Sequence, residues 1–404
     1  MTRHPPRPLN SDINSSDPYT KKYHDSTDAA IDAEARDLHP LPIRNGLGSS
    51  ILGPRNLARE QQQPDIIRPP STDSGTLPNY KWSFTDSHMR IEEGGWARQT
   101  TIRELPTSIE LAGWAYMLAG SARVTALDTE GGNFIGEVEK GDLWYFPSGH
   151  PHSIQGLGED GCEFLLVFDD GNFSEDSTFL LSDFLAHTPT SVLGKNFRLD
   201  PEIFKMIPKE ERYIFQGSMP GDKDDEMPDK PHVKKSRLMF THKMLDQKPE
   251  VFSGGEVRIT DTEKFPLSKT ISAAHVTIKP GGIREMHWHP NADEWSFFIK
   301  GSARITIFAS SGMARTFNYT AGDVGIVPKS MGHYVENISE MEEVEMLEIF
   351  RAPKFEDFSL EQWLGNTPGR MVAEHLFQKH PKAGKKFVEE LKAGKEAVKP
   401  NSNA

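Results

Sequence analysis

The chain repeats itself, and one copy of the repeat is incomplete. Trp114-Ala-Tyr-Met-Leu-Ala-Gly120-Ser-Ala-Arg123-Val-Thr recurs as Trp295-Ser-Phe-Phe-Ile-Lys-Gly301-Ser-Ala-Arg304-Ile-Thr. Gly141-Asp142-Leu-Trp-Tyr-Phe-Pro147, with His152 beyond it, recurs as Gly322-Asp323-Val-Gly-Ile-Val-Pro328 with His333. In both copies 38 residues lead from the tryptophan to the histidine, so no loop between them has changed length. A chain of 404 residues has room for two such units, each with its own core. Short β-type runs cut by Gly and Pro, such as those at 122–127, 143–146 and 304–308, make each unit a small barrel or jelly roll. Upstream the register breaks. Leu105-Pro106-Thr107-Ser108 resembles Phe265-Pro266-Leu267-Ser268, yet 29 residues separate Pro266 from Trp295 and only 8 separate Pro106 from Trp114. The first copy therefore lacks 21 residues, best placed opposite 274–294. That block is about two strands of chain at ~3.3 Å per residue, so the first barrel is expected to have open strand edges.

The rest of the chain is arranged around these units. Residues 1–75 are rich in Pro, Ser, Asp, Arg and Gln without periodicity and read as a disordered arm. Residues 76–170 form the first unit, 171–248 a polar lid and connecting segment, 249–360 the second unit, and 361–404 C-terminal helices and a tail. The expected class is all-β dominated, with two tandem jelly-roll barrels and short flanking helices. A net charge of −13 excludes a general nucleic-acid binder, and an anionic substrate would need a local cation. The single cysteine, Cys162, excludes an intrachain disulfide framework. No apolar run is long enough to span a membrane. Residues 1–37 show no hydrophobic leader core, so the default compartment is the cytoplasm, or the exterior if the N-terminus is incomplete.

The chemistry lies in the intact copy. His287 and His289 are two apart on a strand-like run and face the same way, inward if Trp288 faces out. Glu294 follows after the turn Pro290-Asn291-Ala292-Asp293, and His333 returns from a distant strand. Three imidazoles and a carboxylate with open positions suit manganese or iron, and less well zinc or nickel. The counterparts of His287, His289 and Glu294 fall in the block missing from the first copy, which keeps only His152. One imidazole does not replace a ligand set, so no metal is expected at that first site.

The spacing of Gly281, His287, His289, Glu294, Gly301, Gly322, Pro328, His333 and Asn337 resembles the cupin superfamily, and two such units make a bicupin. The runs 284–290, 314–319 and 331–337, with 141–149 and Ser174-Glu175-Asp176-Ser177-Thr178, resemble the oxalate decarboxylase family over about residues 82–395. The resemblance implies manganese, dioxygen as co-catalyst, and the splitting of oxalate into formate and carbon dioxide. It implies that Arg284, three residues before His287, grips a substrate carboxylate; from the residues alone a structural ion pair is equally open. It implies that Glu348, inside the β run 344–350, is an acid beside the second metal, where a solvent-facing strand position is the plainer reading. It implies that Glu175 sits on a lid over the first site and favours decarboxylation over oxidation; without it, 174–178 is only a polar loop.

The missing block leaves two explanations, a deletion in a degenerate enzyme or a misassigned splice. The intact flanking spacing and the surviving Glu175 favour the second. Three functions follow: oxalate decarboxylase, a metal-binding bicupin without turnover, or oxalate oxidase. The partner expected is a small dicarboxylate, with no nucleic acid and no membrane. A homo-oligomer is implied by the resemblance, with the C-terminal helices as contacts.

Overall fold

The computed structural model describes residues 73–107, 114–168, 179–209 and 212–400. They form two compact units, one of residues 84–242 and one that joins residues 243–404 to the segment ending at Ser83. Short β1 (Lys81–Ser83) comes first and belongs to the second unit. The first unit then runs β2 (His88–Glu92), β3 (Gly95–Gln99), β4 (Trp114–Leu127), β5 (Gly132–Glu139), β6 (Asp142–Trp144), β7 (His152–Gly156) and β8 (Cys162–Val167). Helices α1 (Leu181–Ala186) and α2 (Thr190–Phe197) follow, then β9 (Lys234–Lys235) and β10 (Thr241–Lys243).

The second unit continues with β11 (Glu250–Phe252), β12 (Gly255–Thr260), β13 (Ser272–Ile278), β14 (Ile283–Trp288), β15 (Glu294–Lys300), β16 (Ser302–Phe308) and β17 (Ala314–Thr320). It ends with β18 (Asp323–Val327), β19 (Gly332–Asn337), β20 (Val344–Phe350), β21 (Phe358–Ser359), α3 (Leu360–Gly365), α4 (Gly369–Phe377), α5 (Pro381–Glu390) and β22 (Val398–Lys399). One sheet has the order β1-β18-β15-β20-β13-β12-β11; the other has the order β17-β16-β19-β14-β21, with β22 also on β14. Val276 and Phe298 of the first sheet and Ile305, Phe317 and Val335 of the second share one buried apolar cluster. Strand β19 alternates cleanly: His333, Val335 and Asn337 are buried, while Gly332, Tyr334 and Glu336 are half-buried.

The repeat is visible as geometry. Gly141 and Gly322 take φ of 90° and 85°, a left-handed conformation that glycine adopts without cost. The aspartate that follows closes the turn: Asp142 accepts from Glu139 N at 2.8 Å and Asp323 from Thr320 N at 3.0 Å. The missing block is equally visible. In the second unit β20 pairs with both β15 and β13, and β19 with both β16 and β14. In the first unit the counterparts β8 and β7 each pair, among the described residues, with β4 alone. The hairpin β2–β3 forms a separate two-stranded sheet, whereas its counterpart β11–β12 is joined to its sheet through β13.

Residues 76–83, grouped with the first unit in the sequence, include β1, and Lys81, Trp82 and Ser83 pair with Gly325, Val324 and Asp323 of the second. Lys81 Nζ also lies 3.0 Å from the buried Asp323 carboxylate. Nothing local marks this; a three-residue strand is assigned by its distant partner. Of the N-terminal arm only residues 73–75 are described, and Ser74 bridges to Ala314. No helix among the described residues is long and apolar enough to cross a membrane.

Candidate metal centre

The side chains of His287, His289, Glu294 and His333 are all buried, and their ligand atoms lie within 4.8 Å of one another. Strand alternation supplies the two close histidines: His287 and His289 are buried while Trp288 between them is half-exposed. The turn after them delivers Glu294 at the start of β15, and the alternation of β19 turns His333 inward opposite His287. Each imidazole is oriented from behind. His287 Nδ1 lies 2.6 Å from the Glu285 carbonyl, His289 Nδ1 2.8 Å from that of Glu356, and His333 Nδ1 3.0 Å from that of Met331. A carbonyl accepts only from N–H, so all three present Nε2 to the centre.

Glu294 Oε2 lies 3.0 Å from His289 Nε2, 2.9 Å from His333 Nε2 and 4.0 Å from His287 Nε2, while Ser296 donates to Oε1 at 2.7 Å. His287 Nε2 is buried with no hydrogen-bond partner, an orphaned acceptor of the kind that a cation satisfies. The donor set therefore fits a borderline-to-hard divalent ion.

The electrostatics agree with a cation site. Burial, together with the nearby Arg284 and histidines, pushes His287 well below its ordinary value, so its ring is neutral. Burial would raise Glu294, but His333 and His289 outweigh it and hold the carboxyl well below the usual range. Burial would likewise lower His333, but the adjoining Glu294 carboxylate raises it.

Arg284 is buried and faces inward like His287, although strict alternation would put residues three apart on opposite faces. A bulge in β14 resolves this: Arg284 pairs with Val335 and His287 with His333, so three steps on one strand span two on the other. Arg284 makes two buried ion pairs. Its Nε donates to Glu348 Oε1 at 3.2 Å, Nη2 to Asp357 Oδ2 at 2.8 Å, and Nη1 to the Ala397 carbonyl at 3.4 Å. Glu348 is fully buried rather than solvent-facing, and its Oε2 has no hydrogen-bond partner. Burial raises its carboxyl above the ordinary range despite Arg284.

Asp357, Ala397 and Lys395 are absent from the sequence reading. Asp357 is itself 4% exposed, and its carboxyl is held at about 2, where Arg284 and Lys395 outweigh its burial. The folded value lies below the ordinary 3.8, so its contribution is full above pH 3.8 and is lost as pH falls through about 2. It amounts to about 2 kcal/mol. Urea titrations at descending pH should therefore show the parent losing stability through this window relative to Asp357→Asn; parallel curves would contradict the ion pair.

His152, the first unit's remaining imidazole, is exposed on β7; its Nδ1 lies 2.8 Å from the His150 carbonyl and its ring stacks on Phe146 at 4.2 Å. It does not join the cluster above, which is the one such group among the described residues. Glu175 lies outside the described residues.

Comparison with known proteins agrees with this geometry. The cupin family model matches residues 97–205 and 242–381, one region in each unit. The oxalate decarboxylase OxdC of Bacillus subtilis is 49% identical over 89% of this chain and 96% of its own length. A probable oxalate decarboxylase of Arthroderma benhamiae is 39% identical over 86% of this chain and 91% of its own. A structure of the Bacillus subtilis oxalate decarboxylase at pH 4.6 superposes with a TM-score of 0.81 at 49% identity, covering 89% of this chain and 97% of that one. Another structure of the Bacillus enzyme, also at TM-score 0.81, is described with Mn(II) centres. Two cupin units, the buried His₃Glu set and near full-length relatives at this identity place the chain in the oxalate decarboxylase family of bicupins.

Proposed function

We propose that this chain is a manganese-dependent oxalate decarboxylase that acts at the centre of its second barrel. The observation that carries this is the buried His₃Glu cluster in the same unit as a buried acid, Glu348, whose proton is held above the usual range. His287, His289, Glu294 and His333 would hold the manganese. When bound, it supplies positive charge for a dianion and, with dioxygen as co-catalyst, the one-electron chemistry that loosens a carbon–carbon bond.

The remaining steps belong to the protein. Oxalate carries two negative charges into an acidic chain, so its binding needs the cationic centre and Arg284, whose guanidinium is the buried cation beside Glu348. Cleavage releases carbon dioxide and leaves a carbon that takes up one proton to become formate. Glu348 would supply that proton as a general acid, oriented by Arg284. Barrel walls around His289, including Phe350 at 4.4 Å between ring centroids, help exclude water that would compete as proton donor. Glu175 has the lid role only for a first centre. A homo-oligomer with contacts through α3–α5 belongs to the same reading.

A second reading, a metal-binding bicupin without turnover, is favoured by one observation: every nitrogen of Arg284 already donates within the protein, to Glu348, Asp357 and the Ala397 carbonyl. Oxalate incubated with manganese-loaded protein under air separates the functions. Formate without stoichiometric peroxide is expected; peroxide with little formate would make the chain an oxidase, and neither product would leave the non-catalytic reading.

A further inference from the structure

Four charged side chains run in line from the surface of the second unit to its buried acid. Lys395, 29% exposed, bonds Asp357 Oδ1; Asp357 Oδ2 holds Arg284 Nη2 at 2.8 Å; Arg284 Nε donates to Glu348 Oε1 at 3.2 Å. The guanidinium is thereby divided. Its outer edge is fixed by Asp357 and by the Ala397 carbonyl, and its Nε edge faces Glu348. The segment carrying Asp357 also braces the metal centre. The Glu356 carbonyl orients His289, Phe358 and Ser359 pair with Trp288 and His287, and Ser359 Oγ donates to Glu285 at 2.7 Å.

We propose that Asp357 is a positioning residue for the reaction: it anchors Arg284 so that the guanidinium is presented in one orientation to Glu348 and to a carboxylate of oxalate. This rests on the function proposed above. An unanchored arginine populates many rotamers and must be ordered when the substrate binds, whereas an anchored one has already lost that freedom. Lys395 balances the Asp357 carboxylate, so what Asp357 adds to Arg284 is chiefly orientation. A single pair would satisfy the charge, but only a second partner on the far edge fixes the orientation.

The test measures oxalate affinity by calorimetry on manganese-loaded protein under nitrogen, where dioxygen-dependent turnover does not run. Four forms are compared with the parent: Asp357→Asn, Asp357→Glu, Arg284→Lys, and Asp357→Asn combined with Arg284→Lys. Asp357→Asn is expected to keep its manganese and to bind oxalate at least about tenfold more weakly. Asp357→Glu keeps the charge but moves the anchor by a methylene, and it should weaken binding in the same direction. In the Arg284→Lys background the Asp357→Asn change should add less than about twofold, because its effect runs through Arg284. Parent-like affinity in both Asp357 variants, or an undiminished loss in the Arg284→Lys background, would overturn the proposal. A crystal structure of manganese-loaded Asp357→Asn decides the positioning without oxalate: Arg284 turned from Glu348 supports it, and Arg284 unmoved refutes it. A manganese-loaded parent that binds no oxalate sinks the proposed function instead, and the crystal structure still decides the anchor.

Discussion

Replacing Glu294 by alanine should strip the protein of manganese and of oxalate turnover together. Glu294 is the single carboxylate of the set and contributes its whole negative charge; three neutral imidazoles remain without it. The loss reaches beyond a single bond. Glu294 is the charge that raises His333, the group facing His289 Nε2 and His333 Nε2 at 3.0 and 2.9 Å, and the acceptor for Ser296. Even a group that only supports a ligand changes metal affinity by about 10–100-fold, so loss of a charged ligand should exceed 100-fold. Metal analysis after dialysis against a weak chelator, with formate production, measures both. A variant that keeps its manganese and its turnover would show that the metal is held elsewhere. Circular dichroism and melting would confirm that the second barrel survives, as its apolar cluster of Val276, Phe298, Ile305 and Val335 does not depend on Glu294.

Glu348→Gln should separate binding from proton delivery. Glutamine keeps an oxygen to accept from Arg284 Nε, and it fills the same buried volume, so manganese content and oxalate affinity should stay near the parent. It cannot give up a carboxylic proton. General acid catalysis contributes about 10²–10⁴-fold, so kcat should fall by that range while KM changes little. A kcat within about threefold of the parent would remove Glu348 from the chemistry and leave it as an ion-pair partner. Glu348→Ala is the contrasting variant. It leaves a cavity and takes one carboxyl partner from a buried guanidinium, a change that costs about 3–5 kcal/mol when a buried pair is broken on one side. Melting should show it plainly destabilised, with Glu348→Gln much closer to the parent.

Much of this site is legible in the sequence because it rests on local periodicity. The two-residue spacing of His287 and His289, the alternation that buries His333, Val335 and Asn337, and the equal spacing from tryptophan to histidine in both copies all survive translation into structure. The missing block is legible for the same reason, and its consequence appears in β7 and β8, each with β4 as its one described neighbour. What sequence does not carry is non-local. The bulge that turns Arg284 to the same side as His287 is a property of the pairing with β19. Asp357 comes from an irregular segment after β20, in a run with neither repeat nor motif, and is recognised only because β21 lies against β14. Lys395 and Ala397 reach the site because β22 pairs with β14 from the far end of the chain. The same holds for β1, three residues whose place is decided by β18. Arg284 also shows what residue type leaves open: a substrate clamp and a structural ion pair read alike in sequence, and only the fold brings Glu348, Asp357 and the Ala397 carbonyl to its donors.

The manganese-to-chain ratio is the most direct measurement. Protein expressed with manganese, dialysed and analysed for metal and protein together, should hold about one ion per chain, since the first unit keeps His152 exposed and apart from any other ligand of the set. The same preparation should turn oxalate into formate, with both properties lost in Glu294→Ala. Two tightly held ions per chain, or one that survives Glu294→Ala, would contradict a single working centre in the second barrel.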